Sequence, residues 1–142
     1  MPTLDEVDAR RRFAAARVAR LGTVTADGHP HLVPVVFAVP EDGPDTVLIA
    51  VDAKPKRHRD LKRLRNIADR PGVSLLVDHY DDDWSALWWV RADGTARVTD
   101  ASVDLDRART ALAARYPQHR DDPPDGPAIV VTVTRWSGWA AR

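Results

Sequence analysis

The chain has no cysteine, which excludes disulfides, thiolate chemistry and Cys-based zinc or iron–sulfur centres. No apolar run approaches the roughly 18 residues of a membrane span. The opening residues, Met1-Pro2-Thr3-Leu4-Asp5-Glu6, do not read as a signal peptide. A soluble, cytoplasmic protein is therefore expected. Net charge is missing too: Lys+Arg and Asp+Glu both number 21, which argues against a general nucleic-acid or membrane binder but permits local patches. GxSxG, HExxH, Walker and GxGxxG motifs are all absent, and no nucleophile–base–acid set can be assembled. If the chain is an enzyme, a cofactor supplies the hard chemistry and the protein positions it. Lysine is the scarcest cation, with three against eighteen arginines.

What is present fits one domain over residues 1–142, large enough to bury a core and small enough to gain from a partner subunit. Thr3 followed by Glu6 predicts a capping box and a helix from about Leu4 to Arg17, with Val7, Phe13, Ala14 and Val18 inward. Leu21–Thr25 reads as a strand. Asp27-Gly28 signals a type I′ hairpin into a return strand from His31 to Val39, apolar enough for both faces to be covered. Pro30 and Pro34 cannot donate to a ladder, so that strand needs an edge segment or a bulge. Further strands are expected over Thr46–Val51, Val73–His79, Trp84–Arg91, Thr95–Thr99 and Ala128–Thr134, with Asp93-Gly94 as a second hairpin turn. A helix over Arg57–Asp69 carries Leu61, Leu64, Ile67 and Ala68 on one stripe. Ser102 caps another, Val103–Arg115, with Leu105, Ala108 and Leu112 inward. Pro117–Pro127 reads as a loop. The pattern is mainly β with peripheral helices, and from these seven strand-like segments a six-stranded antiparallel barrel is expected; the helix after every strand that a doubly wound sheet requires is missing. Small barrels fill their own interiors, so a ligand belongs at a rim or a subunit interface.

Two of the three lysines, Lys54 and Lys56, stand with Arg57 where the third strand hands over to a helix. Charge runs are ordinarily solvated. Here the cations oppose the helix macrodipole at a cost of about 0.3–1 kcal/mol each, and a bound anion would relieve it. Five tryptophans outnumber two Phe and two Tyr. On a strand, Trp84, Ala86, Trp88 and Val90 share one face and Ser85, Leu87, Trp89 and Arg91 the other. One face can fill the barrel, and the other then needs a subunit, a helix or a flat ligand. Trp136 and Trp139 add flat surface. His29 and His31 lack a third ligand at useful spacing, and Asp81-Asp82-Asp83 lacks the alternation of a calcium loop, so no metal is expected.

Taken together, these residues resemble the pyridoxamine 5'-phosphate oxidase-like split β-barrel superfamily of FMN-binding proteins, and within it the F420-dependent oxidoreductase branch of actinobacteria. The resemblance rests on Leu21–Val24, Asp27–Val35, Asp52–Arg57, Asn66-Ile67, Pro71, Val73–Asp78, Asp83-Trp84 and Gly94–Ala96, in order along nearly the whole chain. It implies a split-barrel homodimer with a cofactor site at each side of the interface. By the family's Gly-x-Pro-x-x-x-Pro strand, it places His31, Leu32, Val33, Pro34 and Val35 beside the cofactor ring. Lys54 and Lys56 match the family's phosphate-holding pair when counted from the strand. Counted back from Asn66-Ile67 and Pro71, the family lysine falls on Arg63 instead. Trp84 matches a family motif, and Trp84, Arg91, Arg135 and Trp139 are candidate contacts from the second subunit.

F420 carries a phosphodiester and a polyglutamate tail, whereas FMN ends in one phosphate. The extra cations Arg57, Arg59, Lys62 and Arg63 favour F420, with FMN as the alternative. The implied chemistry is hydride transfer between the reduced deazaflavin and a small conjugated or imine-type substrate; no catalytic residue is identified, and His31 is the least poor proton donor. A non-catalytic F420, flavin or haem carrier is the competing class. Nucleic-acid binding through residues 54–70 is disfavoured by Asp60, Asp69 and the Asp81–Asp83 run.

Overall fold

The computed structural model describes residues 3–51 and 61–141. In chain order the elements are α1 (Glu6–Ala15), β1 (Ala19–Val24), β2 (Pro30–Val35), β3 (Thr46–Ala50), α2 (Leu61–Asp69), β4 (Gly72–His79), β5 (Trp88–Thr99), α3 (Ser102–Arg115), α4 (Pro117–Asp121) and β6 (Ala128–Ala140). The strands form one antiparallel sheet in the order β2-β1-β4-β5-β6-β3. It curls until the chain beyond β2 meets β3: Ala38 N–H donates to Leu48 O at 3.0 Å and Leu48 N–H to Ala38 O at 2.8 Å. This is a split β-barrel.

Alternation builds the core. Leu21, Leu75, Val77, Val90, Ile129 and Val131 turn inward and are fully buried. Phe13 of α1 meets the ring of Phe37 at 4.9 Å and that of Trp136 at 5.3 Å. Around β3 both faces are covered, because α3 lays Ala108 over Leu48, Ala128 and Val130 on the outer side. That explains the nearly unbroken apolar run in β3.

Several local expectations are revised. Asp5, not Thr3, caps α1, accepting the Asp8 N–H at 2.8 Å, while Thr3 bridges to Trp139. Ala9 and Phe13 are buried in α1, but Val7 and Val18 are exposed and Ala14 is half-buried. The Asp27-Gly28 hairpin exists, yet only Gly28 is left-handed (φ 93°), which excludes a type I′ turn. A three-residue loop closed by Thr25 N–H to His29 O (2.8 Å) takes its place.

Asp93-Gly94 is no turn at all. Trp84–Ala86 forms a one-turn 3-10 helix, and β5 then runs unbroken from Trp88 to Thr99. Its partner β6 continues past Thr134 to Ala140, with Thr134 left over between the pairs Asp93↔Arg135 and Gly94↔Val133. The backbones crowd at this bulge: a Cβ on Gly94 would stand 2.2 Å from Thr132 O. Glycine is required by close approach here, and local sequence cannot tell that from a turn. Ser102 opens α3 rather than capping it. In the expected loop, Pro117–Asp121 is helical. Ala68 is exposed, so the buried stripe of α2 is narrower than expected.

Arg17 and Arg115 lock the helix ends. Arg115 donates to Phe37 O at 3.0 Å and to Ala16 O at the end of α1, and Arg17 donates to Arg115 O, at the end of α3, at 3.1 Å. Each C-terminus thus receives a guanidinium, the charge its dipole favours. Burial pushes the Arg115 guanidinium down from its ordinary value.

Candidate functional site

The strand expected beside a ring system, β2, lies at the sheet edge, where Pro30 and Pro34 are tolerated. Its two faces part. Register sets His31, Val33 and Val35 beside Thr23, Leu21 and Ala19, toward the interior. Val35 is buried in the core, and Val33 packs against it. Leu32 and Pro34 face outward beside Gly22 and Arg20, with Leu32 72% exposed. So this strand is not covered on both faces within one chain. The five consecutive residues form two surfaces: a ligand outside the sheet meets Leu32 and Pro34, and one at the barrel mouth meets His31. The His31 Nδ1 is buried and has no hydrogen-bond partner among the described residues.

At that mouth α2 is held by a buried polar pair that sequence reasoning missed. Asn66 Nδ2 donates to Thr23 Oγ1 at 3.1 Å, and both residues are buried. The pair satisfies two groups that would otherwise be costly in a core. An Asn next to Ile67 on the apolar stripe of α2 was the available signal. Arg63 is half-buried on the same helix, close in sequence to exposed Lys62 and Arg65. Lys54, Lys56 and Arg57 lie outside the described residues.

The outward face of the sheet continues from β2 across β1, β4, β5 and β6. Cross-strand pairing aligns Pro34, Arg20, Leu76, Arg91 and Ser137 in one row. The adjacent row holds Asp78, Trp89 and Trp139. An open cavity of about 700 Å³ lies here, lined by Leu76, Asp78, Trp89, Arg91 and Trp139 among others. Charges on this face are paired: Arg20 with Asp78 at 3.8 Å, Arg91 with Asp93 at 3.1 Å. Trp136 points the other way, into the core, so the two C-terminal tryptophans do not share a surface.

Trp84 is 70% exposed on the 3-10 turn leading into β5, three strands from β2 in the sheet order. The structure does not bring it to the β2 residues of its own chain. The Asp83 side chain caps that turn, accepting the Ser85 hydroxyl at 2.7 Å and its N–H at 3.0 Å, which holds the Asp83 carboxyl below the usual range.

The family described as pyridoxamine 5'-phosphate oxidase matches residues 6–140. No curated protein matches the chain. Solved structures do. A conserved hypothetical protein from Mycobacterium tuberculosis superposes with a TM-score of 0.73 at 20% identity, over 98% of this chain and 86% of that one. An FAD-binding protein from Mesorhizobium loti gives 0.70 at 20% identity, over 96% and 93%. An FAD-binding protein from Mycobacterium smegmatis gives 0.65 at 19% identity, over 98% and 97%. At such identities the likeness shows a shared fold.

Proposed function

The chain belongs to the pyridoxamine 5'-phosphate oxidase family, and from that premise we propose that it is an oxidoreductase using the deazaflavin F420, bound where two copies of the chain meet. The observation that carries this reading is β2. It is an edge strand with Leu32 and Pro34 laid open to solvent on one side and, on the other, a buried His31 Nδ1 that has no partner among the described residues. Proteins ordinarily cover or charge such an edge. A flat tricyclic ring along β2 would cover Leu32 and Pro34 and offer its polar rim to the strand's unpaired backbone groups. The residues present fit such a group.

Charge favours the deazaflavin over a flavin. Residues 54–70 contain Lys54, Lys56, Arg57, Arg59, Lys62, Arg63, Arg65 and Arg70 against Asp60 and Asp69. An acidic phosphodiester and polyglutamate tail complements that excess. In this reading Lys54 and Lys56 hold the phosphate and Arg57 and Arg63 meet the acidic tail, while Leu32, Pro34 and a Trp84 from the second copy shield the ring from water. Bound F420 supplies a hydride to a small conjugated or imine-type acceptor, and a proton completes the reduction. His31 turns to the opposite face of β2 from Leu32 and Pro34, so no residue of this chain is assigned to that proton. A flavin nucleotide in the same seat is the second reading, favoured by the FAD-binding proteins that share the fold.

Separate titrations of the purified protein with F420 and with FMN, followed by calorimetry, test the proposal. F420 should bind at least about tenfold more tightly, a difference of about 1.4 kcal/mol. Tighter FMN binding transfers the reading to a flavin, and binding of neither ends it. Binding without any turnover leaves a cofactor carrier.

A further inference from the structure

We propose that the buried hydrogen bond between Asn66 and Thr23 fixes the span between the ring seat on β2 and the cations carried by α2, which makes both of them positioning residues for the cofactor. Their role rests on the cofactor reading above and adds to it how the two ends of the seat are kept in register.

α2 docks on the barrel through Ile67, which is buried, and Leu64, which packs against the same core. Apolar contacts of this kind are non-directional and let a helix slide or roll by a fraction of a turn. A hydrogen bond does not. Asn66 Nδ2 donates to Thr23 Oγ1 at 3.1 Å, and the two residues are only 5% and 2% exposed. Away from water neither atom has a substitute for the other, so the bond fixes how far along β1 the helix sits. A second tie, from Arg70 Nη2 just past α2 to Ala26 O at 2.9 Å, is exposed, and water can replace it.

The bond lands beside the ring seat. Thr23 pairs with His31, and its neighbour Gly22 pairs with Leu32. A Cβ on Gly22 would stand 3.3 Å from the Leu32 side chain. On α2, Arg63 lies three residues before Asn66, on the same face and about 4.5 Å nearer the N-terminus. Lys62 stands next to it, and the sequence ahead of α2 supplies Lys54, Lys56, Arg57 and Arg59. One buried contact thus indexes the helix that carries cations to the hairpin that carries the ring seat. A ligand gripped at two points gains from the second only when its own length matches the span. Loosening the span removes that gain and leaves each grip intact.

The test compares each cofactor with its phosphate-free ring by calorimetry on the full chain: F420 with the corresponding deazariboflavin, and FMN with riboflavin. Thr23→Val swaps the hydroxyl for a methyl. It should weaken the cofactor that the wild type binds about tenfold, and the matching ring by no more than about twofold. Thr23→Ser keeps the hydroxyl and should restore the wild-type ratio of cofactor to ring affinity. Thr23→Val combined with Asn66→Leu removes both polar atoms. The urea midpoint should then recover toward wild type, because no buried donor is stranded, while the ratio stays low. A merely structural role would weaken cofactor and ring alike and would recover with stability. Equal losses for cofactor and ring in Thr23→Val, unchanged cofactor affinity, a ratio that returns in the double variant, or no rescue by Thr23→Ser each overturn the positioning role. A wild type that binds neither cofactor ends the cofactor reading and the positioning role with it. Cofactor binding with a ratio unmoved by Thr23→Val ends the positioning role alone.

Discussion

Removing the Asp45 carboxylate should destabilise the fold by an amount the structure allows to be worked out. Asp45 precedes β3 and ties two distant elements together. Its Oδ1 accepts Arg10 Nε of α1 at 2.8 Å, and its Oδ2 accepts Trp136 Nε1 of β6 at 2.9 Å. Asp45→Ala deletes both acceptors. Trp136 is only 6% exposed, so its indole N–H is stranded in the core, at about 1–3 kcal/mol. The Arg10 pair is open to solvent, with side-chain exposures of 28% and 44%, and after screening it contributes about 0.5–1 kcal/mol. Together the loss is about 1.5–4 kcal/mol. Given a urea slope of about 2 kcal/mol per M for a chain of this size, the midpoint should fall by about 0.75–2 M. Asp45→Asn keeps a carbonyl for Trp136 and should lose about 1 kcal/mol or less. Both are measured by urea denaturation followed by tryptophan fluorescence and circular dichroism. Protein concentration must be held fixed, since self-association would shift the midpoint. A midpoint for Asp45→Ala within about 0.3 M of wild type, at unchanged slope, refutes the reasoning.

Lys54→Ala combined with Lys56→Ala should weaken F420 binding at least about tenfold while leaving the urea midpoint nearly unmoved, because charge runs are ordinarily solvated and solvated charges add little to stability. An affinity within about twofold of wild type places the anion grip elsewhere, with Arg63 next to be tested. Gly94→Ala should cost about 3 kcal/mol or more, since its Cβ would meet Thr132 O at 2.2 Å. A normal thermal midpoint for that variant would contradict the bulge. The hydrogen bond from Arg97, with help from Thr99, holds the Asp104 carboxyl below its ordinary value of 3.8. Its stabilising effect is therefore present above that value and is lost as pH falls through the folded-state value. Asp104→Asn should flatten the acid limb of the stability profile below about pH 4. An unchanged acid limb would show the pairing to be idle.

Strand and helix identities were legible wherever a pattern is local. The apolar run of β3, the stripe of Leu105, Ala108 and Leu112 in α3, and the two prolines marking β2 as an edge all read through to the structure. Expectations failed where two segments distant in sequence meet. Asp93-Gly94 carries the residues of a turn, yet the crossing of β6 decides that the chain goes straight on. Trp136 and Trp139 look equivalent, until β6 continues past Thr134 and sends one to the core and the other to the outer face. The Asn66–Thr23 pair joins residues 43 apart, and no spacing rule links them.

Sequence alone determined the kinds of most elements, the exclusion of cysteine-based and motif-borne chemistry, and the concentration of cations at residues 54–70. Tertiary structure decided which face each residue occupies, and with it the splitting of His31–Val35 into two surfaces and the parting of Trp136 from Trp139. The reason is physical. A strand's alternation follows from its own backbone, but which of its faces is inside depends on the strands it pairs with and on how the sheet curls.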